Sequence, residues 1–130
     1  MSDIGFKLYF YQDNKLFKKV AVKSGYHNCL VVGSGNESQI KLDNNRISRN
    51  HLQIIYDDKG ILNVQDLGST NGTFLNGIKI EENKILQHKD KLQLAGLNDV
   101  LIVVEKPNLN HVTGENYDLI NKLKSKNRIL

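Results

Sequence analysis

The sequence has little cysteine, little proline and no long hydrophobic run. Cys29 is the only cysteine among 130 residues, so the chain can form no internal disulfide, and a thiolate metal site is not expected. The longest wholly apolar stretch, residues 100–104, is far too short to span a bilayer. The first five residues contain neither a basic nor an apolar segment, so no secretory signal is expected. These absences favour a soluble protein of the cytoplasm, or of the nucleus in a eukaryote.

Arginine is scarce as well. Only three arginines, Arg46, Arg49 and Arg128, occur among the 18 basic residues, which leaves few candidates for bidentate recognition of a phosphate group. The formal net charge is +4, but residues 106–130 hold five basic and two acidic residues and carry +3 of it. A nucleic-acid-binding domain is expected to carry a basic stripe on its folded part. Nucleic acid is therefore not an expected partner, and neither is a membrane.

Short strand-like segments follow one another along the chain, with no helical periodicity among them. Ten segments have this character: residues 6–11, 16–22, 29–32, 40–42, 51–56, 61–66, 73–75, 78–80, 92–94 and 100–104. Three connections have the composition of tight hairpin turns: Asp13-Asn14, Asp57-Asp58-Lys59-Gly60 and Asn76-Gly77. The pattern predicts an all-β fold, an antiparallel β-sandwich, and it lacks the long crossovers of a doubly wound α/β enzyme.

The lone proline, Pro107, follows the last strand and suggests where the folded part ends. We expect residues 1–105 to form the sandwich and residues 106–130 to form a basic tail. In this tail Tyr117, Ile120 and Leu123 have helical spacing, which predicts a short helix over residues 116–127. Such a helix has three open roles: it can dock on the sandwich, continue into a partner, or fray.

Two loop segments contain the most informative motifs. Residues 67–77 read LGSTNGTFLNG, and Ser48-Arg49-Asn50-His51 precedes them by one hairpin's length. In order and separation these segments resemble the signature of the forkhead-associated (FHA) domain, and the resemblance covers about residues 6–105. An FHA domain is a β-sandwich that recognises phosphothreonine in partner proteins. The resemblance therefore implies a signalling module whose partner is a threonine-phosphorylated protein or peptide.

The resemblance also implies a phosphopeptide-binding site in the loops at one end of the sandwich. The residues matching Ser48 and Thr70 address the phosphate, and the residue matching Asn71 holds the peptide backbone. A serine hydroxyl and an asparagine amide have the donors and acceptors that these roles need. The rim of the site is expected to contain Ser34, Arg46 and Asn50. The loops are expected to be supported by Gly33, His51 and Gly72.

One element of the family pattern is absent. Where the family has Gly-Arg after an early strand, this chain has Gly33-Ser34. A charge-assisted hydrogen bond contributes about 1.5–3 kcal/mol, so its loss is expected to weaken phosphate binding by roughly one to two orders of magnitude. Two kinds of replacement are open from the sequence. Lys23 or Lys41 can supply a point charge, or the amides of residues 33–35 can form a small anion-binding nest.

The absent arginine also defines the main alternative function. On the same scaffold the chain can be a phosphate-independent protein-binding or self-association domain. Enzymatic activity is not expected, and no cofactor is, because the sequence shows no paired carboxylates, metal cluster or nucleophile constellation. The pair Ser48 and His51 lacks both a nucleophile elbow and a third orienting group. Gly33-Ser34-Gly35 is not followed by the lysine and the helix of a phosphate-binding loop.

Two further interpretations concern individual side chains. Cys29 lies in an apolar run, which predicts a small core residue in a strand covered on both faces. The aromatic residues of the first hairpin are expected to pack within it and not to form a base-stacking platform: Tyr9, Phe10, Tyr11 and Phe17.

Overall fold

The computed structural model describes residues 4–23, 28–96 and 99–107. These residues contain no helix and form eleven strands, which are β1 (Ile4–Gln12), β2 (Lys15–Lys23), β3 (Asn28–Gly33), β4 (Ile40–Lys41), β5 (Leu52–Tyr56), β6 (Leu62–Asp66), β7 (Thr73–Leu75), β8 (Ile78–Lys79), β9 (Lys84–Ile85), β10 (Lys91–Leu94) and β11 (Val100–Glu105). The tail helix predicted over residues 116–127 lies outside the described residues. The domain boundary after residue 105 stays a prediction.

The strands form two sheets, and this confirms the predicted β-sandwich. One sheet has six strands in the order β2-β1-β11-β10-β7-β8, and the other has five in the order β4-β3-β5-β6-β9. The five-stranded sheet is mixed, because β4 pairs with β3 in parallel, with Val32 opposite Ile40. This is the one parallel pair among the described strands, and the other pairs are antiparallel as predicted. The pairing is parallel because residues 34–39 form a loop that carries the chain back before β4 begins, whereas a hairpin turn would make β4 antiparallel to β3.

The core lies between the sheets and follows the period-two alternation of the strands. In β1 the buried side chains are Phe6, Leu8 and Phe10. In β11, which pairs with β1, the same alternation buries Val100, Ile102 and Val104. The inner face of the five-stranded sheet contributes Val32, Leu52, Ile54, Leu62 and Val64. The central strands of both sheets thus each have one buried face. This fixes their register, because a shift by one residue would turn the apolar side chains outward.

The predicted hairpin turns are confirmed by the backbone. Asp13 and Asn14 have φ values of 52° and 66°, and Asn76 and Gly77 have 50° and 89°. Positive φ at both central residues matches the right-handed twist of the strands that such a turn joins. Gly60 in the third hairpin has a φ of 83°, as its position in that loop predicts.

Two predictions about single segments are wrong, and one strand is absent from the predicted set. Cys29 is exposed, because β3 turns Val32 into the core and Cys29 outward, toward Gln53 on the uncovered face. Because this face is uncovered, β3 is covered on one face only and not on both faces as predicted. Strand β9 was not predicted, since it has only two residues without an alternating pattern, and it forms through pairing with Asn63 and Val64 of β6.

The first hairpin's aromatic residues divide between the two faces of the sheet. Phe10 is buried and its ring centroid lies 6.3 Å from that of Phe17, as predicted for packing within the hairpin. Tyr9 and Tyr11 are only partly buried and face outward, because β1 buries Phe6, Leu8 and Phe10 at the alternate positions. For these two tyrosines the packing prediction is therefore wrong.

The sheet registers bring four loops to one end of the sandwich. Val32, near the end of β3, pairs with Leu52, and Leu52 also pairs with Asp66 at the end of β6. In the other sheet, the start of β7 pairs with the end of β10. The loops at this end contain residues 34–39, 42–51 and 67–72, and the described residues 95, 96 and 99. Separately, within the described residues, no helix is long and apolar enough to cross a membrane.

Candidate functional site

The 42–51 loop and the 67–72 loop contact each other at the end of the sandwich. The backbone N–H of Thr70 donates to Ser48 Oγ at 3.0 Å. The Asn71 amide donates through Nδ2 to the carbonyl of Arg46 at 2.8 Å. Thr70 and Asn71 are exposed and Ser48 is half-buried. These three side chains thus lie together on an accessible surface, and the Ser48 hydroxyl keeps its own proton for donation.

His51 joins the loops from beneath. Its ring is fully buried, Nδ1 accepts the N–H of Ser48 at 3.2 Å, and Nε2 lies 2.8 Å from the carbonyl oxygen of Gly72. Because Nδ1 accepts, the proton of the neutral ring is on Nε2 and is donated to Gly72. Burial of the ring lowers the pKa of His51, more than the Gly72 carbonyl and the nearby Asp66 carboxylate raise it. The histidine is therefore a neutral strut whose two nitrogens each hold one loop.

Asp66 organises the 67–72 loop, and the sequence interpretation missed it. Its Oδ2 accepts the N–H groups of Gly68 and Ser69 at 3.0 and 2.9 Å, and its Oδ1 accepts the hydroxyls of Ser69 and Thr73, both at 2.6 Å. Burial acts to raise the pKa of Asp66, but the hydrogen bonds from Ser69 and Thr73 outweigh it and the pKa is lowered. An aspartate followed by Leu-Gly-Ser at a strand end is the available signal, since an aspartate shortly before such a turn favours a side chain that caps the turn.

Two glycines at this end are required by the backbone. A Cβ on Gly33 would overlap the carbonyl oxygen of Arg49, so only a glycine lets the 34–39 and 42–51 loops approach this closely. Gly72 has a φ of 91°, which an L side chain rarely adopts, and its carbonyl is the group that His51 holds. Gly33, His51 and Gly72 therefore all lie where neighbouring loops meet.

Ser34, the residue predicted to stand in place of the family's arginine, begins the 34–39 loop and bonds to the 42–51 loop. Its hydroxyl donates to the carbonyl of Ile47 at 2.8 Å, and its N–H donates to the carbonyl of Ser48 at 2.9 Å. The N–H of Gly35 in turn donates to the carbonyl of Arg49 at 3.0 Å. The idea of an anion-binding nest over residues 33–35 is therefore wrong, because two of the three amides already have protein acceptors.

The cations that the sequence suggested differ in their distance from the site. Lys23 lies opposite Ile4, at the other end of the six-stranded sheet, so it is wrongly placed to replace the missing arginine. Lys41 is exposed and pairs with Gly33 at the edge of the five-stranded sheet. Arg46 lies at the site itself, where its guanidinium contacts the Asp99 carboxylate at 2.9 Å and its side chain remains 59% exposed.

Asn50 lies apart from the Ser48, Thr70 and Asn71 side chains. With Arg49 it lines a separate hollow of about 200 Å³ against residues 35–37. It is exposed and faces the 34–39 loop. Within the described ranges, no group of three or more histidine, cysteine, aspartate or glutamate side chains is placed to hold a metal ion.

Known proteins resemble this chain in sequence. The model of the FHA domain family matches residues 30–95. The FHA domain-containing protein FhaA of Mycobacterium tuberculosis is 38% identical over 52 residues, which are 40% of this chain and 10% of FhaA. The chain thus spans about a tenth of the length of this curated relative.

Solved structures resemble it in fold. The FHA domain of the CT664 protein from Chlamydia trachomatis has a TM-score of 0.69 and 27% identity, with 80% of this chain and 99% of that chain covered. The FhaA FHA domain, complexed with the intracellular domain of Rv3910, has a TM-score of 0.62 and 25% identity over 77% and 99% of the two chains. The N-terminal FHA domain of S. cerevisiae Rad53p, in complex with a phosphothreonine peptide, has a TM-score of 0.66 and 22% identity over 80% and 94%, which shows a shared fold.

The comparisons agree with the architecture described above, a β-sandwich whose loops contact each other at one end. The family match covers just over half of the chain and includes both loops described above. The chain therefore belongs to the FHA domain family, as its two loop motifs predict.

Proposed function

We propose that this protein binds threonine-phosphorylated peptides through the loops at one end of the sandwich, without catalysing a reaction. The observation that carries the proposal is the meeting of Ser48, Thr70 and Asn71 on one accessible surface, held by hydrogen bonds of 3.0 and 2.8 Å between their loops. A site that is already assembled loses less entropy when it orders a peptide. The Rad53p domain, which shares the fold, was solved with a phosphothreonine peptide, and this also supports the proposal.

Each of the three residues has a role in this binding. The Ser48 hydroxyl accepts from Thr70 and donates its own proton to a phosphate oxygen. The Thr70 hydroxyl, on an exposed side chain, offers a second neutral donor. Asn71 uses one Nδ2 proton on the Arg46 carbonyl, and its other proton and Oδ1 address the peptide backbone. Gly33, His51 and Gly72 hold the loops in place.

The positive charge for the phosphate dianion comes from the rim. Arg46 is the cation we assign to this role, because its backbone carbonyl is bonded to Asn71 and its guanidinium is more than half exposed beside Asp99. Ser34 contributes only a hydroxyl that is committed to Ile47. Asn50, on the side of the 34–39 loop, lies at the outer rim. With one salt-bridged arginine, affinity is expected to be modest and to fall with ionic strength.

The phosphate-independent alternative rests on Ser34. Its hydrogen bond to the Ile47 carbonyl fills the place of the family's arginine with an uncharged contact. A domain of this kind would bind a partner protein, or a second copy of itself, through the same loops. It would not distinguish phosphorylated from unphosphorylated ligands.

Calorimetric titration separates the two functions. A library of phosphothreonine peptides is titrated beside the same peptides without phosphate, at low and at raised salt. We expect binding of phosphorylated members that is at least about tenfold tighter than that of their unphosphorylated twins, the scale of one charge-assisted contact. Equal affinity for both forms throughout the library would reject phosphate recognition and favour the alternative.

A further inference from the structure

The outward face of the six-stranded sheet carries aromatic, apolar and basic side chains in register. Two rows cross the sheet, and their members pair directly with one another: Lys19, Tyr9, Val103 and Lys91 in the first, and Tyr11, Leu101, Gln93 and Phe74 in the second. We call this surface the outer face. Val103 and Leu101 are only partly buried, although their strand β11 lies at the sheet centre. No described residue range packs over them.

The outer face contains a hollow of about 420 Å³. Tyr9 and Tyr11 line one side of it, Val103 lies between Tyr9 and Lys91, and Lys89 lies beside Lys91. Pockets for small ligands begin at about 300 Å³. The hollow exceeds this volume, so it has room for one large side chain of a ligand. The hollow thus combines apolar walls with a basic rim.

The charges around the hollow are unbalanced. The cations that face or border it are Lys7, Lys19, Lys89 and Lys91. The neighbouring acids, Glu105 and Asp90, offset part of this charge, and both accept hydrogen bonds from neutral donors: Glu105 from the Tyr9 hydroxyl at 2.6 Å, and Asp90 from Asn76 Nδ2 and the Gln87 N–H. Four lysines against two carboxylates leave the outer face with a positive excess. Within the described part of the chain, none of the four lysines forms an ion pair. Unpaired lysines of one sign attract an anionic partner and select against a cationic one.

We propose that the outer face binds an acidic polypeptide segment of a partner protein, apart from the loop site. Carboxylates of the segment meet Lys19, Lys89 and Lys91, and an apolar side chain between them enters the hollow beside Val103. An apolar anchor surrounded by charge pairs is the arrangement that gives a small interface both affinity and orientation.

Two other occupants fit the observations less well. A nucleic acid needs a continuous basic track and stacked bases, whereas the outer face has a single hollow, no arginine and the Glu105 carboxylate beside it. The chain's own residues 106–130 carry five basic and two acidic side chains, so they repel a lysine-rich face. An acidic, unphosphorylated peptide matches both the charge and the anchor.

The test uses the full chain, isotope-labelled for NMR, and a short synthetic peptide of glutamate and aspartate with one central leucine. We expect saturable shifts of the Tyr9, Lys91 and Val103 amides, with the Ser48 and Asn71 amides unchanged. The double variant Lys19→Glu/Lys91→Glu should weaken binding by about tenfold or more, since two attractive pairs become repulsive. The control variant Lys41→Glu/Lys59→Glu makes the same charge change elsewhere and should bind normally. Replacing the peptide's leucine by serine should weaken binding as well.

Four results would overturn the proposal. If the control variant weakened binding equally, the effect would come from net charge and not from the outer face. If the amide shifts were confined to the loop site, the peptide would bind at that site instead. Tighter binding of oligothymidylate through the same residues would make the outer face a nucleic-acid surface. Nuclear Overhauser contacts between residues 108–130 and Val103 in the unaltered protein without peptide would make the tail the occupant. Phosphopeptide binding by this variant should be unchanged, so the two proposals fail independently.

Discussion

The Thr73 hydroxyl donates to Asp66 Oδ1 at 2.6 Å and thereby joins the two sheets at the site. Asp66 is the last residue of β6 in the five-stranded sheet, and Thr73 is the first residue of β7 in the six-stranded one. Thr73 is fully buried and Asp66 is half-buried, so this bond is partly shielded from water. The loop between these residues carries Thr70 and Asn71, and its shape therefore depends on a contact across the sandwich.

Asp66→Asn should destabilise the fold and weaken phosphopeptide binding together. The Asp66 carboxylate accepts four hydrogen bonds, and in the variant an N–H₂ group would face some of these donors. We therefore expect the free energy of unfolding to fall by about 2 kcal/mol or more. Denaturant unfolding and calorimetric titration measure the two effects. Asp58→Asn is the matched control, because Asp58 is exposed and loses the same charge. If Asp58→Asn and Asp66→Asn were equally stable, the carboxylate would not organise the loop.

His51→Ala should lower the stability by about 3 kcal/mol. It leaves the Ser48 N–H and the Gly72 carbonyl without their partner and opens a cavity where a fully buried ring stood. His88→Ala is the control, since His88 is exposed and accepts only the N–H of Lys106. Melting curves of the two variants should differ clearly. A His51→Ala protein as stable as His88→Ala would contradict the role of His51 as a buried strut.

Stability should fall as the solution is acidified below pH 6.5. Burial lowers the folded-state pKa of His51 below its ordinary value of 6.5, so in this window the unfolded chain binds a proton that the folded chain does not. The contribution of the neutral His51 ring to the free energy of unfolding is fully present above pH 6.5. It decreases by at most about 1.4 kcal/mol per pH unit as the pH falls toward the folded-state pKa. Asp66, whose pKa is also lowered, adds its loss only below 3.8.

Unfolding free energies across this range test the pH dependence, with His51→Gln as the comparison. The variant has no titrating ring at this position, so its stability should change less between pH 6.5 and the acid range of the carboxylates. NMR titration of the His51 ring in the unaltered protein gives an independent reading. A ring that titrates above 6.5 would reverse the sign of the effect and disprove the prediction.

Asn71→Ala should weaken phosphopeptide binding and leave the fold intact. Asn71 is exposed and makes one hydrogen bond, to the Arg46 carbonyl, so its loss should cost no more than about 1 kcal/mol of stability. Titration and melting are compared with Asn63→Ala, which makes the same change on the outer side of β6. Normal peptide affinity in Asn71→Ala would exclude this residue from the site, and a large stability loss would make its role structural.

Ser34→Arg should raise the affinity for phosphothreonine peptides by about tenfold or more. A guanidinium at the position of the family's arginine offers a planar pair of donors to the phosphate. The control is Ser34→Ala, which loses the same hydrogen bond to the Ile47 carbonyl but adds no charge. The gain should be absent for the unphosphorylated peptide. An unchanged affinity in a folded Ser34→Arg protein would show that residue 34 does not reach the phosphate, or that the loops bind another ligand.

Much of the fold follows from local patterns in the sequence. Short alternating or apolar segments predict ten of the eleven strands, and the Asp13-Asn14 and Asn76-Gly77 turns predict two hairpins whose φ values agree. These signals succeed because side-chain alternation and turn geometry are properties of neighbouring residues. The two loop motifs also predict the FHA family, because each motif is a short run of consecutive residues that can be recognised without the tertiary structure.

The sequence by itself thus determined the strands, the hairpins and the family. The tertiary structure alone decided which loops meet, that Asp66 bonds across to Thr73, that Lys23 lies at the far end, and that Cys29 faces outward. It also decided that the amides of Ser34 and Gly35 are already bonded. The physical reason is that each of these facts depends on pairing between strands distant in the chain. Periodicity states that a strand has two faces, but only the sheet order determines which face is covered.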